Sequence, residues 1–393
     1  MMELALILLF SVSGFLIVYH HIGYPLLLKL VAKKTPLEKK ASFKRLYRVT
    51  KADRSLPSIT MLIPAYNEQE WIAQKIRNLS SLDYPKDKLK VVIACDGCTD
   101  STVEIAEATI QEAICSETHF EIIQFEQNRG KVAVVNQVMQ DINSDITAMS
   151  DVSALVSFDA LLLAAQHFQR NNVGVVNSRY QLLDSQNTGE MKYWQYQSML
   201  QQGEANLGAN IGAHGALYFF RTELFTPLAL DTINDDFVIP MEIVRNGYQA
   251  IYEPNVVAVE LENASLGKDF KRRLRISAGN MQQLLMLAEL LRPRYKAVAF
   301  TFGSGKTLRL LTPYLLIICL ATSIALSYHT LFLTALGVQI AFYSIAALGL
   351  LLPTIFNHRI IKLISYFTAG HFANLYGGLR YILGRETGRW ERV

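Results

Sequence analysis

The stretch Ile59-Thr60-Met61-Leu62-Ile63-Pro64-Ala65-Tyr66-Asn67-Glu68 sets the fold. Ile59 to Ile63 is short and apolar enough to be a strand of a covered sheet, and Pro64 to Glu68 read as the polar turn that ends it. Ile72, Ile76 and Leu79 follow on one face of a helix, at spacings of four and three. The same unit recurs downstream: strands are expected at Leu89 to Ala94, Phe120 to Phe125, Asp145 to Met149 and Val173 to Val176, with helical periodicity between them. That alternation is the signature of a parallel sheet covered by helices. Sheets of this kind bind ligands outside the carboxyl ends of their strands.

Those ends hold the informative residues: Pro64 to Glu68, Asp96-Gly97-Cys98-Thr99-Asp100, Asn128-Arg129-Gly130-Lys131 and Ser150-Asp151-Val152-Ser153. Each has two readings. Asp96 can accept bonds from a base or ribose, or it can open a turn before a helix cap. Arg129 and Lys131 flank a glycine and can hold phosphates, or they can be solvated. Asp151 suits a metal or a ribose, or is a turn residue. Four polar ends on one sheet edge favour a nucleotide-type ligand.

Composition and flanks point to a membrane. Apolar residues make up 51% and charged residues 18%, against roughly 45–50% and about 25% in soluble domains. Leu4 to Leu30 is apolar apart from His20, His21 and Lys29, long enough to cross a bilayer core that needs about 20 residues. No basic region precedes it, so it reads as a span and not a cleaved signal. Lys29, Lys33, Lys34, Lys39, Lys40, Lys44, Arg45 and Arg48 follow it, whereas Glu3 precedes it, which puts the following chain in the cytoplasm. Leu310 to Phe356 has no Asp, Glu, Lys or Arg, is divided by Ser327 to Thr330, and reads as a transmembrane hairpin. Leu363 to Leu379 is shorter, holds His371 and Asn374, and leads to Arg380, Arg385, Arg389 and Arg392. It is expected to lie in the interface or re-enter.

The boundaries that follow are 1–31 for the N-terminal span, 32–56 for a basic linker and 57–300 for the main domain. Its subdivisions are 57–180, 181–265 and 266–300. A hairpin at 307–356 and a C-terminal segment at 357–393 complete the chain. Four cysteines are too scattered for a disulfide framework, and the Cys95–Cys98 pair has no second pair or nearby His to complete a zinc site. Gly303-Ser304-Gly305-Lys306-Thr307 lacks the upstream glycine of a phosphate-binding loop, which excludes an ATPase. The net charge of +4 is modest, and no nucleic-acid partner is expected.

Between these flanks stand Tyr193, Trp194 and Tyr196 on a helix from about 190 to 205, then Gly212-Ala213-His214-Gly215-Ala216-Leu217-Tyr218. The aromatics read as core packing, and His214 as structural or as an acceptor contact. Asn234-Asp235-Asp236-Phe237 can cap a helix, since Phe237, Ile239, Met241 and Val244 follow. Two adjacent carboxylates also suit a general base, because each disfavours ionisation of the other. Lys271-Arg272-Arg273-Leu274-Arg275-Ile276 lies on a helix with an apolar face, fitting an anionic membrane surface.

In order and spacing these segments resemble the family 2 glycosyltransferases of the GT-A fold, over roughly residues 57 to 290. The resemblance is to the membrane-integrated relatives of cellulose, chitin, hyaluronan and poly-N-acetylglucosamine synthases. It implies an α/β, Rossmann-like cytoplasmic domain with N- and C-terminal transmembrane helices, in a multi-pass protein of the inner or plasma membrane. It implies a nucleotide-sugar site lined by Pro64, Tyr66, Glu68, Asp96, Lys131, Asp151 and Ser153, with Glu68 and Asp96 on the uridine of a UDP-sugar. Asp151 matches the first Asp of the DxD motif, which holds a divalent cation, Mg or Mn. The second is Ser153, a weaker ligand, so metal dependence is expected to be reduced. His214 and Gly215 would meet the acceptor. Asp236 would be the base of the Thr-Glu-Asp motif, with Asp235 in support.

Arg272, Arg273 and Arg275 would neutralise the departing diphosphate. Ile276 stands where the family has the Trp that stacks on a growing polymer, which counts against a cellulose-like enzyme. The resemblance therefore implies an inverting transferase acting on a lipid-linked or glycan acceptor for surface or extracellular polysaccharide. The alternative is a processive synthase whose channel an oligomer or export partner completes. A nucleotidyltransferase is disfavoured because its glycine-rich loop after the first strand is missing. An inactive scaffold is disfavoured by Asp236 and the arginine cluster.

Overall fold

In the computed structural model, residues 1–34, 45–183, 188–262 and 266–385 are described. Lys39, Lys40, Lys44, Arg389 and Arg392 lie outside the described residues, as do the side chains of Lys33, Lys34, Tyr193 and Phe270. The helices in chain order are α1 (Met2–Val18), α2 (Tyr24–Lys34), α3 (Ile72–Ser80), α4 (Thr102–Ile110), α5 (Lys131–Val138), α6 (Ala160–Phe168) and α7 (Thr188–Asn206). After them come α8 (Asp235–Arg245), α9 (Leu266–Met286), α10 (Ala297–Thr301), α11 (Leu308–Ala325), α12 (Thr330–Leu351) and α13 (Arg359–Ile382). The strands are β1 (Ile59–Ala65), β2 (Leu89–Asp96), β3 (His119–Phe125), β4 (Ile146–Met149), β5 (Ala154–Val156), β6 (Val173–Leu182), β7 (Tyr218–Arg221) and β8 (Gln249–Glu260). The chain divides into two compact units.

One unit is an eight-stranded sheet in the order β3-β2-β1-β4-β7-β6-β8-β5. β1 is buried along its whole length, and each large apolar side chain so removed from water contributes about 1.5–3 kcal/mol. β1, β2, β3 and β4 pair in parallel, as the sequence implies. The all-parallel expectation fails beyond them. β7 runs antiparallel to both β4 and β6, and β5 antiparallel to β8, so the sheet is mixed. β5, β7 and β8 were illegible for local reasons. Two are three or four residues long, and β8 carries Pro254-Asn255, which reads as a turn. The ladder takes up that pair in a bulge: Ser178 pairs with Glu253 but Arg179 with Val257.

The other unit contains three helices long and apolar enough to cross a membrane: Met2–Val31, Ala297–Ala325 and Thr330–Leu351. The second begins well before residue 307, because the glycine-rich Gly303 to Thr307 is helical, within a π-helical segment Phe302–Thr307. It meets a second π-helical segment, Tyr19–Gly23, through Tyr19 Oη to Ser304 Oγ at 3.0 Å and His20 Nδ1 to the Ser304 carbonyl at 2.8 Å. Glu3 and His329 meet at 2.8 Å, so the N-terminus and the hairpin turn share one end. α13 is an unbroken helix, without the reversal a re-entrant segment needs, and is not among the three candidate spans. It packs along α9, with Arg273 over the Tyr366 ring at 4.5 Å and Ser277 Oγ bonded to Asn374 Oδ1 at 3.0 Å.

Candidate active site

The carboxyl ends of β1 and β2 are stitched into one loop pair. Asn67 Oδ1 accepts from the Thr99 amide at 2.8 Å, the Glu68 amide donates to Thr102 Oγ1 at 2.7 Å, and the Gln69 amide to Asp100 Oδ2 at 3.3 Å. Pro64, expected in the turn, is instead a buried member of β1 paired with Ala94, which moves the start of the loop to Tyr66. Tyr66 and Glu68 are half-buried beyond it. Asp96 closes β2 and is fully buried. Its Oδ1 accepts from the Arg129 amide and its Oδ2 from the Gly130 amide, both at 2.8 Å. Each oxygen keeps a second lone pair beyond the amide it accepts. The present work of Asp96 is to set the start of α5. Gly97 has φ +63°, and a Cβ there would lie 2.3 Å from the Asn128 nitrogen, so this approach of the two loops requires glycine.

α5 begins with Lys131, whose ammonium lies 3.1 Å from Asp151 Oδ1 and 3.3 Å from Asp235 Oδ2. Burial works against its charge, but Asp151, Asp235 and Asp236 outweigh burial and hold it above the usual lysine range. The sequence offered Lys131 as a phosphate ligand; here it ties the end of β4 to the first turn of α8. Below the three carboxylates lies Tyr218, fully buried, whose phenol burial and their charges keep protonated.

Asp235 and Asp236 open α8 behind Asn234, which takes the N-cap position without a side-chain cap bond, so the helix start and the carboxylate pair coexist. The pair is divided: Asp235 turns inward, 6% exposed, toward Lys131. Asp236 is half-buried, and its Oδ2 accepts from the Gly215 amide at 3.1 Å. A second tie runs from the Ala213 amide to the Asp236 carbonyl at 3.1 Å. Pro240, four positions on, has no N–H to give that carbonyl the usual helical bond. Asn177 on β6 holds the same loop from below, donating to the Gly212 carbonyl at 2.6 Å.

Next in this loop, His214 stacks on Tyr180 at 3.9 Å with Trp194 edge-on at 4.9 Å, and its Nδ1 accepts from the Ala216 amide at 3.2 Å. The aromatic packing expected of Trp194 is thus present, with His214 as part of it. A Cβ on Gly215 would lie 2.7 Å from Asp151 Oδ2. Glycine therefore keeps space beside that oxygen, and the Asp151 side chain is 37% exposed.

This decides whether a divalent cation fits. Among the described residues no three His, Cys, Asp or Glu side chains are grouped to hold a metal alone. Mg²⁺ is commonly held by one or two carboxylates plus substrate phosphates. Asp151 offers one carboxylate with room beside it, so the residues fit a cation completed by a phosphate-bearing ligand. Ser153 lies two residues on, half-buried.

Cys95 and Cys98 face each other across the Gly97 turn. Cys98 Sγ donates to the Ala65 carbonyl at 3.6 Å, and the neighbouring thiols pull apart, Cys98 drawn down to about 7 by Cys95 and Cys95 pushed up by Cys98 and by burial. Arg272, Arg273 and Arg275 lie on α9 in the other unit, all half-buried.

Sequence reading missed Lys75, Asn177 and Pro240. Lys75 falls three residues after Ile72 and four before Leu79, on the apolar face of α3, and a lysine in that position is the signal that was available.

Relatives fit this arrangement. Over 238 residues the chain is 25% identical to a poly-β-1,6-N-acetyl-D-glucosamine synthase of Staphylococcus aureus, covering 58% of this chain and 56% of that one. A Staphylococcus epidermidis protein of the same name is 24% identical over 256 residues, covering 63% and 60%. The match thus spans little more than half the length of these relatives. Among solved structures, the mannosyltransferase PcManGT of Pyrobaculum calidifontis, in complex with GDP-Man and Mn²⁺, superposes with a TM-score of 0.71 at 22% identity. It covers 96% of this chain and 100% of that one, a likeness of fold. Residues 57–279 match the family described as glycosyltransferase like family 2, and with more than half its length inside that match the chain belongs to this family.

Proposed function

We propose that the protein is a membrane-bound inverting glycosyltransferase that moves a sugar from a UDP-sugar to a lipid-linked or saccharide acceptor in surface or extracellular polysaccharide synthesis. The observation that carries this reading is the meeting of Lys131, Asp151, Asp235 and Asp236 at the strand ends. Asp236, half-buried and fixed by Gly215, takes the proton from the acceptor hydroxyl as that oxygen attacks the anomeric carbon. The attack is a direct displacement with no covalent sugar–enzyme intermediate, so configuration inverts. Asp235 and Lys131 hold the first turn of α8 in place, and Lys131 brings positive charge to the donor side. Glu68 and Asp96, with Tyr66 beside them, receive the uridine, and His214 and Gly215 border the acceptor.

Asp151 would hold a divalent cation, Mg or Mn, which supplies charge neutralisation to the leaving diphosphate. The basic residues flanking the spans support a cytoplasmic catalytic unit.

The name of the staphylococcal relatives supports a second reading, processive synthesis of an N-acetylglucosamine polymer. One experiment tests both. Purified protein in lipid is offered radiolabelled UDP- and GDP-sugars with a membrane lipid extract. Label in a small lipid supports single addition, and label in high polymer supports the synthase. Absence of transfer from every donor refutes the proposal.

A further inference from the structure

α3 carries a buried cation that the reaction above does not use. Lys75 is 1% exposed, and its amine donates to Ser150 Oγ at 2.6 Å and to the Ala154 carbonyl at 2.5 Å. These acceptors bracket Asp151-Val152-Ser153 on both sides. Ser150 Oγ donates onward to the Ala216 carbonyl at 2.5 Å. The Asp151 amide donates to the Gly215 carbonyl at 3.2 Å, and the Gly215 amide to Asp236 Oδ2 at 3.1 Å. Hydrogen bonds joined by short stretches of backbone, from Ser150 to Asp151 and across Gly215, thus link Lys75 through the Asp151 loop to Asp236.

Burying an amine is expensive unless its donors are used. Burial draws Lys75 down to about 7 against the opposing pull of Asp151 and Glu260. Both protonation states retain at least two N–H donors, so the two bonds survive in either.

We propose that Lys75 is a positioning residue: it clamps both ends of the Asp151–Ser153 loop and, through Ser150 and Ala216, fixes that loop against the one that holds Asp236. The inference rests on the reading of this loop as the donor site. The full chain in lipid nanodiscs is compared as wild type, Lys75→Met, Ser150→Ala and the double variant. Methionine keeps the volume and removes the donors; Ser150→Ala removes both the bond from Lys75 and the bond to the Ala216 carbonyl without touching α3.

Amide hydrogen exchange reads the clamp. Residues 150–156 and 213–217 should exchange about tenfold faster in Lys75→Met, with β2 and β3 unchanged. UDP and GDP binding, with Mn²⁺ present, reads the consequence. Affinity should fall about tenfold in Lys75→Met, with the double variant no weaker than Lys75→Met alone. Unchanged exchange in both loops, or a rise spread over the whole sheet, overturns the clamp. If Lys75→Met does not fold, Ser150→Ala decides: loosening of both loops supports the clamp and unchanged exchange overturns it. A wild type that binds neither nucleotide refutes the donor-site reading, while the exchange comparison still decides the clamp.

Discussion

Pro240→Ala should make this protein more stable and less active. Pro240 is inside α8, where the carbonyl it cannot bond belongs to Asp236. The Ala213 amide has taken that carbonyl at 3.1 Å, next to the Gly215 amide on the Asp236 carboxylate. Alanine returns the helical N–H and brings it into competition for the carbonyl. An interior proline costs a helix about 3 kcal/mol relative to alanine, offset by roughly 0.4–1 kcal/mol of order it imposes on the unfolded chain. Because the carbonyl is already bonded, a net gain of about 1–2 kcal/mol is expected. Weakening the Ala213 tie is worth about 0.5–1.5 kcal/mol, a two- to tenfold loss in kcat if Asp236 loses its setting. Thermal unfolding in detergent and steady-state turnover on the same preparation are the assay, with donor KM expected to hold. A lower unfolding midpoint, or a higher one with kcat unchanged, would refute the reasoning.

Asp236→Asn should lower kcat about 10²–10⁴-fold while leaving donor binding and unfolding alone; near-full turnover removes its role as base. Lys131→Met removes the ammonium between Asp235 and Asp151, so UDP affinity should fall and folding stability with it, by about 3 kcal/mol; calorimetry reads both, and unchanged values refute the bridge. Ser153→Asp supplies a second carboxylate and should lower the Mn²⁺ concentration for half-maximal activity, which a metal titration checks. Cys98 sits at about 7, so its reactive thiolate grows as pH rises through 7 and saturates near 8. Iodoacetamide labelling followed by mass spectrometry should find Cys98 modified before Cys95, at a rate that levels off above pH 8.

The central parallel strands were legible because burial on both faces demands uninterrupted apolar residues, and Ile59 to Ile63 meets that demand without help from context. β7 and β8 were not, since Tyr218 to Arg221 is a strand because β4 and β6 flank it, and Pro254 is tolerated because the ladder bulges around it. The site divides the same way. Asp151, Asp235 and Asp236 announce themselves as carboxylates at element ends. Their geometry depends on Lys131, Lys75 and Pro240, whose effects run through backbone amides and carbonyls far apart in sequence. Asp96 shows the converse: it was visible as a polar strand end, yet both its oxygens serve the chain's own amides.

Charge explains how these departures fit together. Asp151, Asp235 and Asp236 gather around Lys131, which they hold charged. A nucleoside diphosphate adds at least two further negative charges, and repulsion between like charges at a half-buried site costs several kcal/mol in order of magnitude, about 4 for a close pair at intermediate dielectric. Positive charge beside these carboxylates, from Lys131 or from a cation at Asp151, would lower that repulsion. A second aspartate at position 153 would add negative charge and a cation ligand together. In the proposed reading Ser153 adds neither, so Lys131 would meet part of the donor's charge that a metal would otherwise have to meet.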